Sequence, residues 1–245
     1  MDFKNFVIIV AAGKGLRMGA ATKKQYLCLD EIPILTHTIM AFDRCDSIHE
    51  IILVIPEKDQ HYCQKYIIDP FVFTKNIHIA QGGKKREDSV SNGLKMICER
   101  IESVNKTIVM IHDGVRPFVD DSIIKNCING AIQYGACIPA VKITDTIKQV
   151  CSDKEINSGS FIQKTINRES LYSAQTPQTF KLDLILKAFD HAKKNGFSGT
   201  DDASLIEYSG YNVYIAKGSK FNIKITTQED LVLGKYLLAI KANSS

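Results

Sequence analysis

The feature that most constrains the fold is an alternation of short apolar runs with segments of helical periodicity. Five runs have the length of a strand and are rich in β-branched residues, at 6–11, 50–55, 76–80, 107–112 and 136–143. The segments between them carry apolar residues three and four positions apart, which is the spacing of a helix with one buried face. Because strands that alternate with helices form parallel sheets, we predict an α/β protein with a mostly parallel sheet flanked by helices.

Helix boundaries can be predicted at three places. Pro33 precedes an apolar stripe at 34–42, and proline favours the first positions of a helix. A second stripe at 89–101 predicts another crossover helix. Near the end of the chain, Thr226 and Glu229 have the spacing of a capping box, which predicts that a closing helix begins there.

Residues 144–173 interrupt this alternation with two short β-like stretches around a polar turn that contains glycine and serine. The pattern predicts a β-hairpin arm that protrudes from the sheet. Two readings of it stay open, a surface excursion and an arm that pairs with a second subunit. With 245 residues, 44% of them hydrophobic, residues 1–245 are expected to form a single domain that carries this arm.

Composition disfavours several classes of protein. No apolar stretch reaches the roughly 18 residues needed to cross a bilayer, so no membrane partner is expected. The seven cysteines are scattered without a CxxC pair or a Cys/His metal spacing, which predicts buried free thiols and a cytoplasmic location. The net charge of +4 comes from 31 basic residues dispersed among 27 acidic ones. This pattern weakly favours a small anionic substrate and disfavours nucleic acid as a partner.

A glycine-rich loop at 11–19 directly follows the first predicted strand. Glycines let the backbone approach phosphate oxygens closely, and Arg17 and Lys24 bring positive charge to the same place. Position 18 is Met18, so the dinucleotide fingerprint GxGxxG fails, and no Walker A motif occurs either. These residues alone leave two readings open, a tight turn and a phosphate-binding loop at the end of a strand.

This loop and the segment after it resemble the opening of sugar-phosphate and polyol-phosphate cytidylyltransferases, in particular the 2-C-methyl-D-erythritol 4-phosphate cytidylyltransferase family. The matching stretch reads AAGKGLRMG and continues as KKQYLCLDEIPILTHTI. The resemblance implies a Rossmann-like sheet of the nucleotidyltransferase type, with Arg17 and Lys24 as catalytic residues. Lys23 stands where the family usually has proline, which suggests a change in the local bend. By resemblance, the loop residues that bind CTP are Ala11, Ala12, Gly13 and Gly15.

A second matching segment at 81–90 follows a predicted strand and opens a helix, so its backbone amides and the Ser89 hydroxyl are expected at the same sheet edge. Without the resemblance, a glycine turn with a helix cap explains the segment equally well. The resemblance implies that Gly82, Gly83 and Ser89 contact the cytosine base and the ribose. Lys84 replaces the acidic residue that is common in the family at that position.

The fourth predicted strand is followed by an acid, a glycine and a base, an order suited to holding a magnesium ion or a polyol beside a phosphate. A lone aspartate at a strand end more often caps a helix. Asp113 is the candidate for contact with Mg²⁺ and with the acceptor, and Arg116 either braces the loop or touches ligand. His112 is expected to be packed. The family commonly reads His-Asp-Ala-Ala-Arg-Pro here, so Gly114 and Val115 are a mild departure.

Three further polar clusters, at 144–148, 168–178 and 200–202, carry little signal singly but match family elements in family order. The resemblance implies that they bind the acceptor polyol phosphate, with an arginine reaching its phosphate from the neighbouring subunit of a homodimer formed through 144–173. Lys224 would be a third catalytic cation on the triphosphate, although a lysine in a late strand is otherwise usually just solvated. The acceptor contacts implied in this way are Asp113, Thr146, Arg168, Thr176 and Thr200.

The resemblance covers nearly the whole chain and implies a reaction. CTP and 2-C-methyl-D-erythritol 4-phosphate, with Mg²⁺, would give the CDP-linked polyol and pyrophosphate in the non-mevalonate isoprenoid pathway. One alternative is a ribitol-5-phosphate cytidylyltransferase that makes CDP-ribitol for wall polymers, in which the segment at 112–118 is typical. The other is a non-catalytic nucleotide sensor, which would not need Arg17, Lys24, Asp113 and Lys224 together.

Overall fold

The computed structural model describes residues 3–13, 23–150 and 161–243, which form a central sheet with helices on both faces. The strands are β1 (Lys4–Val10), β2 (Cys28–Leu29), β3 (Ile32–Pro33), β4 (Glu50–Ile55), β5 (Asn76–Gln81), β6 (Thr107–Asp113), β7 (Ala136–Lys142), β8 (Ile147–Val150), β9 (Ile162–Ile166), β10 (Tyr172–Ala174), β11 (Gln178–Lys181) and β12 (Tyr214–Lys217). The helices are α1 (Ile34–Asp43), α2 (Gln60–Cys63), α3 (Arg86–Cys98), α4 (Asp121–Tyr134), α5 (Leu182–Lys194), α6 (Asp202–Tyr208) and α7 (Gln228–Asn243).

Eight of these strands form the main sheet, in the order β10-β7-β11-β6-β1-β4-β5, and β12 also pairs with β7. The centre of the sheet is parallel, because β1 lies between β4 and β6 and β4 pairs with β5 in the same sense. In contrast, β11 runs antiparallel between β6 and β7. The predicted α/β fold with a mostly parallel sheet is confirmed, and each of the five predicted strands overlaps one of β1, β4, β5, β6 and β7.

The core has two layers, one on each face of the sheet. Successive side chains of a strand point to opposite faces, so β1 contributes to both layers. Val7 and Ile9 pack in the cluster that contains the apolar faces of α1 and α4. Phe6 and Ile8 pack in the cluster formed with α3, α5 and α6. This two-sided burial explains why the parallel strands read as nearly continuous apolar runs.

The predicted hairpin arm is present as a separate two-stranded sheet. β8 and β9 pair antiparallel, with Ile147 opposite Ile166 at the base. Most side chains of the two strands are exposed, so the arm lies outside the core. Its turn, 151–160, lies outside the described residues.

Some elements differ from their predicted bounds, and others were not predicted. α3 begins at Arg86, three residues before the predicted start, because the Asp88 carboxylate accepts a hydrogen bond of 2.9 Å from the Lys85 backbone N–H and so caps the helix earlier. The central strand β11 was not predicted. It has four residues and follows Pro177, so its pattern was too short to stand out.

The predicted capping box of the closing helix was placed one residue too early. α7 begins at Gln228, and the pair that caps it is Thr227 with Asp230. The Asp230 carboxylate accepts hydrogen bonds of 2.9 Å from the Thr227 backbone and of 2.8 Å from the Thr226 backbone. Asp230, at the third helical position, therefore caps the helix in the way predicted for Glu229.

The cysteines are free in the part of the chain that the structure describes, as predicted, but two of them are not buried. Cys28 and Cys98 are exposed, because they occupy the outward side of a two-residue strand and the last turn of α3. The remaining described thiols, Cys45, Cys63, Cys127 and Cys137, are buried. No helix within the described ranges has the length and apolar character needed to span a membrane.

Candidate active site

The carboxyl ends of β1, β4, β5 and β6 lie together at one edge of the sheet, because these strands are parallel neighbours. Backbone hydrogen bonds join the chain segments that follow them: Ala11 N–H donates to the Val54 carbonyl at 2.8 Å, and Gly114 N–H donates to the Val10 carbonyl at 3.0 Å. A cavity of about 550 Å³ opens beside these strand ends. Ligands of open α/β sheets bind at this kind of position.

The cavity is basic. Among its described lining residues, one carboxylate, that of Asp113, faces five cationic side chains, which are those of Lys24, Lys84, Lys85, Arg86 and Lys224. Backbone at Ala11, Ala12 and Gly13 completes one wall. A site with this excess of positive charge is suited to a polyanion such as a nucleoside triphosphate.

Lys24 enters the cavity on a short 3₁₀ turn, Lys24–Tyr26. Gln25 is 2% exposed, and its side-chain amide donates to the Ala11 carbonyl at 2.9 Å and to the Gly13 carbonyl at 3.4 Å. These bonds tie the turn to the end of β1. Lys23 has φ −62°, within the range that a proline ring imposes, so the change of bend expected from the missing proline does not occur.

The segment between β5 and α3 packs against the end of β1. A Cβ added at Gly82 would lie 2.3 Å from the Ala12 Cβ, so this close approach requires glycine. The Ser89 hydroxyl accepts a hydrogen bond of 3.0 Å from Gly83 N–H and donates one of 3.1 Å to the Lys85 carbonyl. Ser89 and Gly83 line the cavity, and the hydroxyl also holds the shape of the turn.

Asp113 is held by two cations at the end of β6. Its Oδ2 lies 3.0 Å from the Lys224 Nζ and 3.1 Å from the Arg116 Nε. Burial alone would raise the pKa of Asp113, but the positive charges of Lys224, Arg116 and Arg86 outweigh it and hold this pKa well below its ordinary value. Arg116 also donates to the Asn222 carbonyl at 2.9 Å, so it braces the loop, which is the first of its two predicted readings.

Behind Asp113, a buried pair fixes its backbone. His112 is 0% exposed, and burial lowers its pKa to about 4, so the ring is neutral. Its Nε2 faces the Arg116 carbonyl at 3.1 Å, which assigns the proton to Nε2 and leaves Nδ1 to accept from the Thr176 hydroxyl at 3.0 Å. The Asp113 N–H in turn donates to the Thr176 Oγ1 at 3.2 Å. Thr176 is therefore a buried support of Asp113 and does not line the cavity.

A second buried carboxylate joins the two sides of the site. Asp202 is 1% exposed, and its Oδ2 lies 2.7 Å from the Arg86 Nη2 at the start of α3. Gln178 accepts hydrogen bonds of 2.9 Å from the backbone N–H groups of Asp202 and Ala203 and donates one of 2.7 Å to Asp201. The start of α3 is thereby connected to the residues that follow Thr176.

Some predicted site residues are not described by the structure, and others lie outside the cavity. Gly15 and Arg17 fall in 14–22, outside the described residues. Thr146, Arg168 and Thr200 are exposed and are not among the described residues that line the cavity. Arg168 donates a hydrogen bond to the Thr144 carbonyl at the base of the arm.

A larger cavity, of about 830 Å³, lies at the base of the arm, where β7, β10 and β12 meet. It is lined by Lys142, Thr144, Tyr172, Lys217 and Lys220, among others. We assign the active site to the smaller cavity, because that one contains the strand ends, the glycine-rich segment and the buried carboxylate of Asp113.

A magnesium ion at this site would depend on the carboxylates of the cavity wall. Within the described ranges, no group of three or more acidic, histidine or cysteine side chains is placed to hold a metal. Magnesium in nucleotide sites is usually held by one or two carboxylates together with substrate phosphates and waters. The described contacts of the Asp113 carboxylate use Oδ2. One carboxylate on the cavity wall fits such a site.

Gln25, Arg86, Asp202 and Asn222 are among the site residues that were not predicted from the sequence. Two of them carried a signal, since Gln25 stands inside the matched KKQY stretch and Asp202 inside the polar cluster at 200–202. Arg86 follows two lysines, so the sequence alone suggests a solvated charge; the structure shows that it pairs with Asp202. Asn222 is 0% exposed and donates to the Thr176 carbonyl at 2.9 Å, a role that no local pattern indicates.

A mostly parallel sheet with a basic cavity at its carboxyl edge and a carboxylate between two cations has the features expected of a nucleotidyltransferase. A family model described as IspD, 2-C-methyl-D-erythritol 4-phosphate cytidylyltransferase, matches residues 5–239. The chain belongs to this cytidylyltransferase family.

Individual relatives agree with this membership. The curated 2-C-methyl-D-erythritol 4-phosphate cytidylyltransferase of Alkaliphilus oremlandii is 45% identical over 235 residues, which cover 96% of this chain and 95% of that protein. A solved structure of 4-diphosphocytidyl-2C-methyl-D-erythritol synthase from Anaerococcus prevotii has a TM-score of 0.78 at 32% identity, covering 97% of this chain and 96% of that one. The Francisella tularensis 2-C-methyl-D-erythritol 4-phosphate cytidylyltransferase also has a TM-score of 0.78 at 32% identity, covering 95% of this chain and 99% of that one.

Proposed function

We propose that this protein transfers the cytidylyl group of CTP to 2-C-methyl-D-erythritol 4-phosphate, releasing pyrophosphate. The observation that carries the proposal is the basic cavity at the carboxyl ends of β1, β5 and β6, in a chain that belongs to the family named for this reaction. The products are the CDP-linked polyol, an isoprenoid precursor, and pyrophosphate. The free cysteines of the described chain fit action in the cytoplasm.

The reaction would proceed by in-line attack. An oxygen of the acceptor phosphate forms a bond to the α-phosphorus of CTP, while the bond from that phosphorus to the bridging oxygen breaks and pyrophosphate leaves. A phosphate monoester has a second pKa of about 6, so the attacking group is largely dianionic near neutral pH and needs no general base. The work of the protein is to position two anions that repel each other and to balance the charge of the transition state.

Lys24 is near the start of the sequence and Lys224 is near its end, but both side chains line the same cavity. We assign to them the neutralisation of charge on the triphosphate. Arg17, outside the described residues, is assigned the same task. The backbone at Ala11, Ala12, Gly13 and Gly15 would wrap the phosphates, and Gly82, Gly83 and Ser89 would hold the cytidine.

Asp113 would hold a Mg²⁺ ion together with phosphate oxygens of CTP, and the bound ion would supply charge stabilisation to the triphosphate. The cations of Lys224 and Arg116 lower the pKa of this carboxylate and so favour its ionised form. A divalent-ion requirement is therefore part of the proposal, and chelation should abolish turnover without unfolding the protein.

The acceptor site is proposed to be completed by a second subunit. Arg168, Thr146 and Thr200 lie outside the cavity in the single chain, and two of them sit at the base of the arm. A homodimer that exchanges arms through 144–173 would bring Arg168 to the acceptor phosphate of its partner. Thr176 supports Asp113 from behind and would act on the acceptor through that contact.

The proposal is tested by pyrophosphate release from purified protein with Mg²⁺ and 2-C-methyl-D-erythritol 4-phosphate, comparing CTP with UTP, ATP and GTP. Turnover with CTP well above the other three nucleotides is expected. Binding of CTP without release of pyrophosphate would contradict the proposal and favour the nucleotide sensor.

A ribitol-5-phosphate cytidylyltransferase is the competing function. Its motif similarity is confined to 112–118, a segment that would contact either polyol phosphate by the same chemistry. The matching family model and the relatives described above carry the methylerythritol name, which favours that acceptor over ribitol phosphate.

A further inference from the structure

The turn that carries Lys24 is anchored on a carboxylate from a different part of the chain. Asp59 follows β4 and is buried, with 9% of its surface exposed. Its Oδ2 accepts a hydrogen bond of 3.0 Å from the Tyr26 hydroxyl and forms an ion pair with the Lys23 Nζ. One oxygen therefore holds the residues on both sides of the Lys24–Gln25 pair.

The anchor lies away from the reacting groups. Asp59, Lys23 and Tyr26 do not line the cavity, whereas Lys24 and Gln25 do. On the other side of the turn, the buried Gln25 is tied to the end of β1 through the Ala11 and Gly13 carbonyls. Lys24 is thus the charged residue of this turn that lines the cavity. Its neighbours Lys23 and Tyr26 are fixed by Asp59, and Gln25 is fixed by the end of β1.

We propose that Asp59 is a positioning residue for the transferase reaction, which orients Lys24 toward the triphosphate by clamping Lys23 and Tyr26. The inference rests on the proposed function, in which Lys24 neutralises charge on CTP. A displacement of about 1 Å in a group that must meet a transition state can cost up to about a hundredfold in rate. Loss of the clamp should therefore lower kcat while the fold is preserved.

Glu50 offers a matched control at the other end of the same strand. Its carboxylate also accepts from a lysine and a second side chain, with the Lys4 Nζ at 2.6 Å and the His78 Nε2 at 3.0 Å. Its side chain is 15% exposed, compared with 12% for Asp59. Glu50→Gln and Asp59→Asn therefore remove the same charge from equivalent surroundings, but Glu50 lies at the edge of the sheet opposite to the cavity.

The test is a double-mutant cycle on single-turnover rates with saturating CTP and acceptor. We expect Asp59→Asn to lower the rate about tenfold in the wild-type background and less than about twofold in the Lys24→Ala background, since coupled residues are not additive. Glu50→Gln should change the rate less than about twofold in both. An equal loss from Asp59→Asn in the two backgrounds would overturn the proposal, because the carboxylate would then not act through Lys24.

A second pair of variants separates geometry from charge. Lys23→Ala loses the ion pair and frees the backbone, whereas Lys23→Pro loses the same charge but keeps the φ of −62° that the turn already has. The proline variant should retain at least about threefold more activity than the alanine variant. Equal losses would overturn the positioning role, since loss of charge alone would account for them.

Wild-type turnover is measured first, so the two proposals fail in different ways. Absence of turnover in the wild type would refute the transferase function itself. The same variants would then be compared by calorimetric affinity for CTP, where the clamp predicts that Asp59→Asn weakens binding measurably but less than about fivefold, as Lys24→Ala does, and causes no further weakening in the Lys24→Ala background. The opposite pattern would overturn the clamp as well.

Discussion

The Lys224 Nζ lies 3.0 Å from Oδ2 of Asp113, although the two residues are more than a hundred positions apart in the chain. Lys224 is 42% exposed at its side chain, whereas Asp113 is 12% exposed, so the ammonium reaches over the carboxylate into the cavity. This arrangement would let one cation contact both the carboxylate proposed to hold Mg²⁺ and an incoming phosphate. It is the basis of the first prediction.

Lys224→Ala should lower kcat about 10²- to 10³-fold, because removing one preorganised charge from a transition state costs about that much. The dissociation constant of CTP should change less than about fivefold, since the triphosphate keeps its other partners. Lys24→Ala should follow the same pattern. Steady-state rates and calorimetry check both values, with Lys220→Ala in the neighbouring loop as a control of nearly wild-type activity. A loss in CTP binding with unchanged turnover would make the two lysines ground-state anchors only.

The stability of the protein should depend on His112 in a defined pH window. The folded pKa of His112 is about 4, below the unfolded value of about 6.5, so between these values the unfolded chain binds a proton that the folded chain does not. The free energy of unfolding should therefore fall as pH drops through this window, by at most about 1.4 kcal/mol per pH unit from this group.

Urea unfolding at pH 7.5, 6 and 5 measures this dependence. In His112→Gln the decline should be smaller than in the wild type, while His191→Gln, on the exposed face of α5, should reproduce the wild-type profile. Parallel pH profiles for wild type and His112→Gln would show that the histidine is not held neutral in the folded protein.

Arg168 should act on the acceptor alone. Arg168→Ala is expected to raise KM for 2-C-methyl-D-erythritol 4-phosphate about tenfold, the cost of one charged contact to a phosphate, and to leave KM for CTP nearly unchanged. Lys164→Ala, on the same arm in β9, is the control. A shift in the CTP constant would mean that the arm does not serve the acceptor site.

The arm should form the dimer interface. Phe161 is 77% exposed and Ile162 is 61% exposed, which are large apolar side chains on a two-stranded ribbon that has little core of its own. The double variant Phe161→Ser, Ile162→Ser should sediment as a monomer at concentrations where the wild type is a dimer. Val72→Ser, at a residue that is 96% exposed outside the arm, should not change the sedimentation coefficient. A wild-type protein that sediments as a monomer would contradict the arm-exchange proposal.

The sequence was most informative where local patterns decide structure. The runs that became β1, β4 and β6 are apolar because both of their faces are covered. The parallel order of β1, β4, β5 and β6 brings the loop at 11–13, the turn at 82–83 and Asp113 to one edge. The position of these motifs, directly after the strands, could therefore be predicted from the sequence alone.

What could not be predicted depends on contacts between distant residues. Arg86 and Asp202 are 116 positions apart, and the residues next to either of them in the sequence do not indicate the ion pair. The same holds for Asp59, which lies 36 positions from Lys23 and looks like an ordinary residue of a surface turn. Such pairs arise from the way the strands are ordered, so they become visible only with the topology.

A competition between two acceptors tests the transferase function and the assigned acceptor in one measurement. Purified protein with Mg²⁺ and CTP is given 2-C-methyl-D-erythritol 4-phosphate and D-ribitol 5-phosphate together, and the two CDP-linked products are quantified to give the ratio of the kcat/KM values. We expect the methylerythritol product to form with a strong preference. A preference for ribitol 5-phosphate would contradict the assigned acceptor, and formation of neither product would contradict the transferase function.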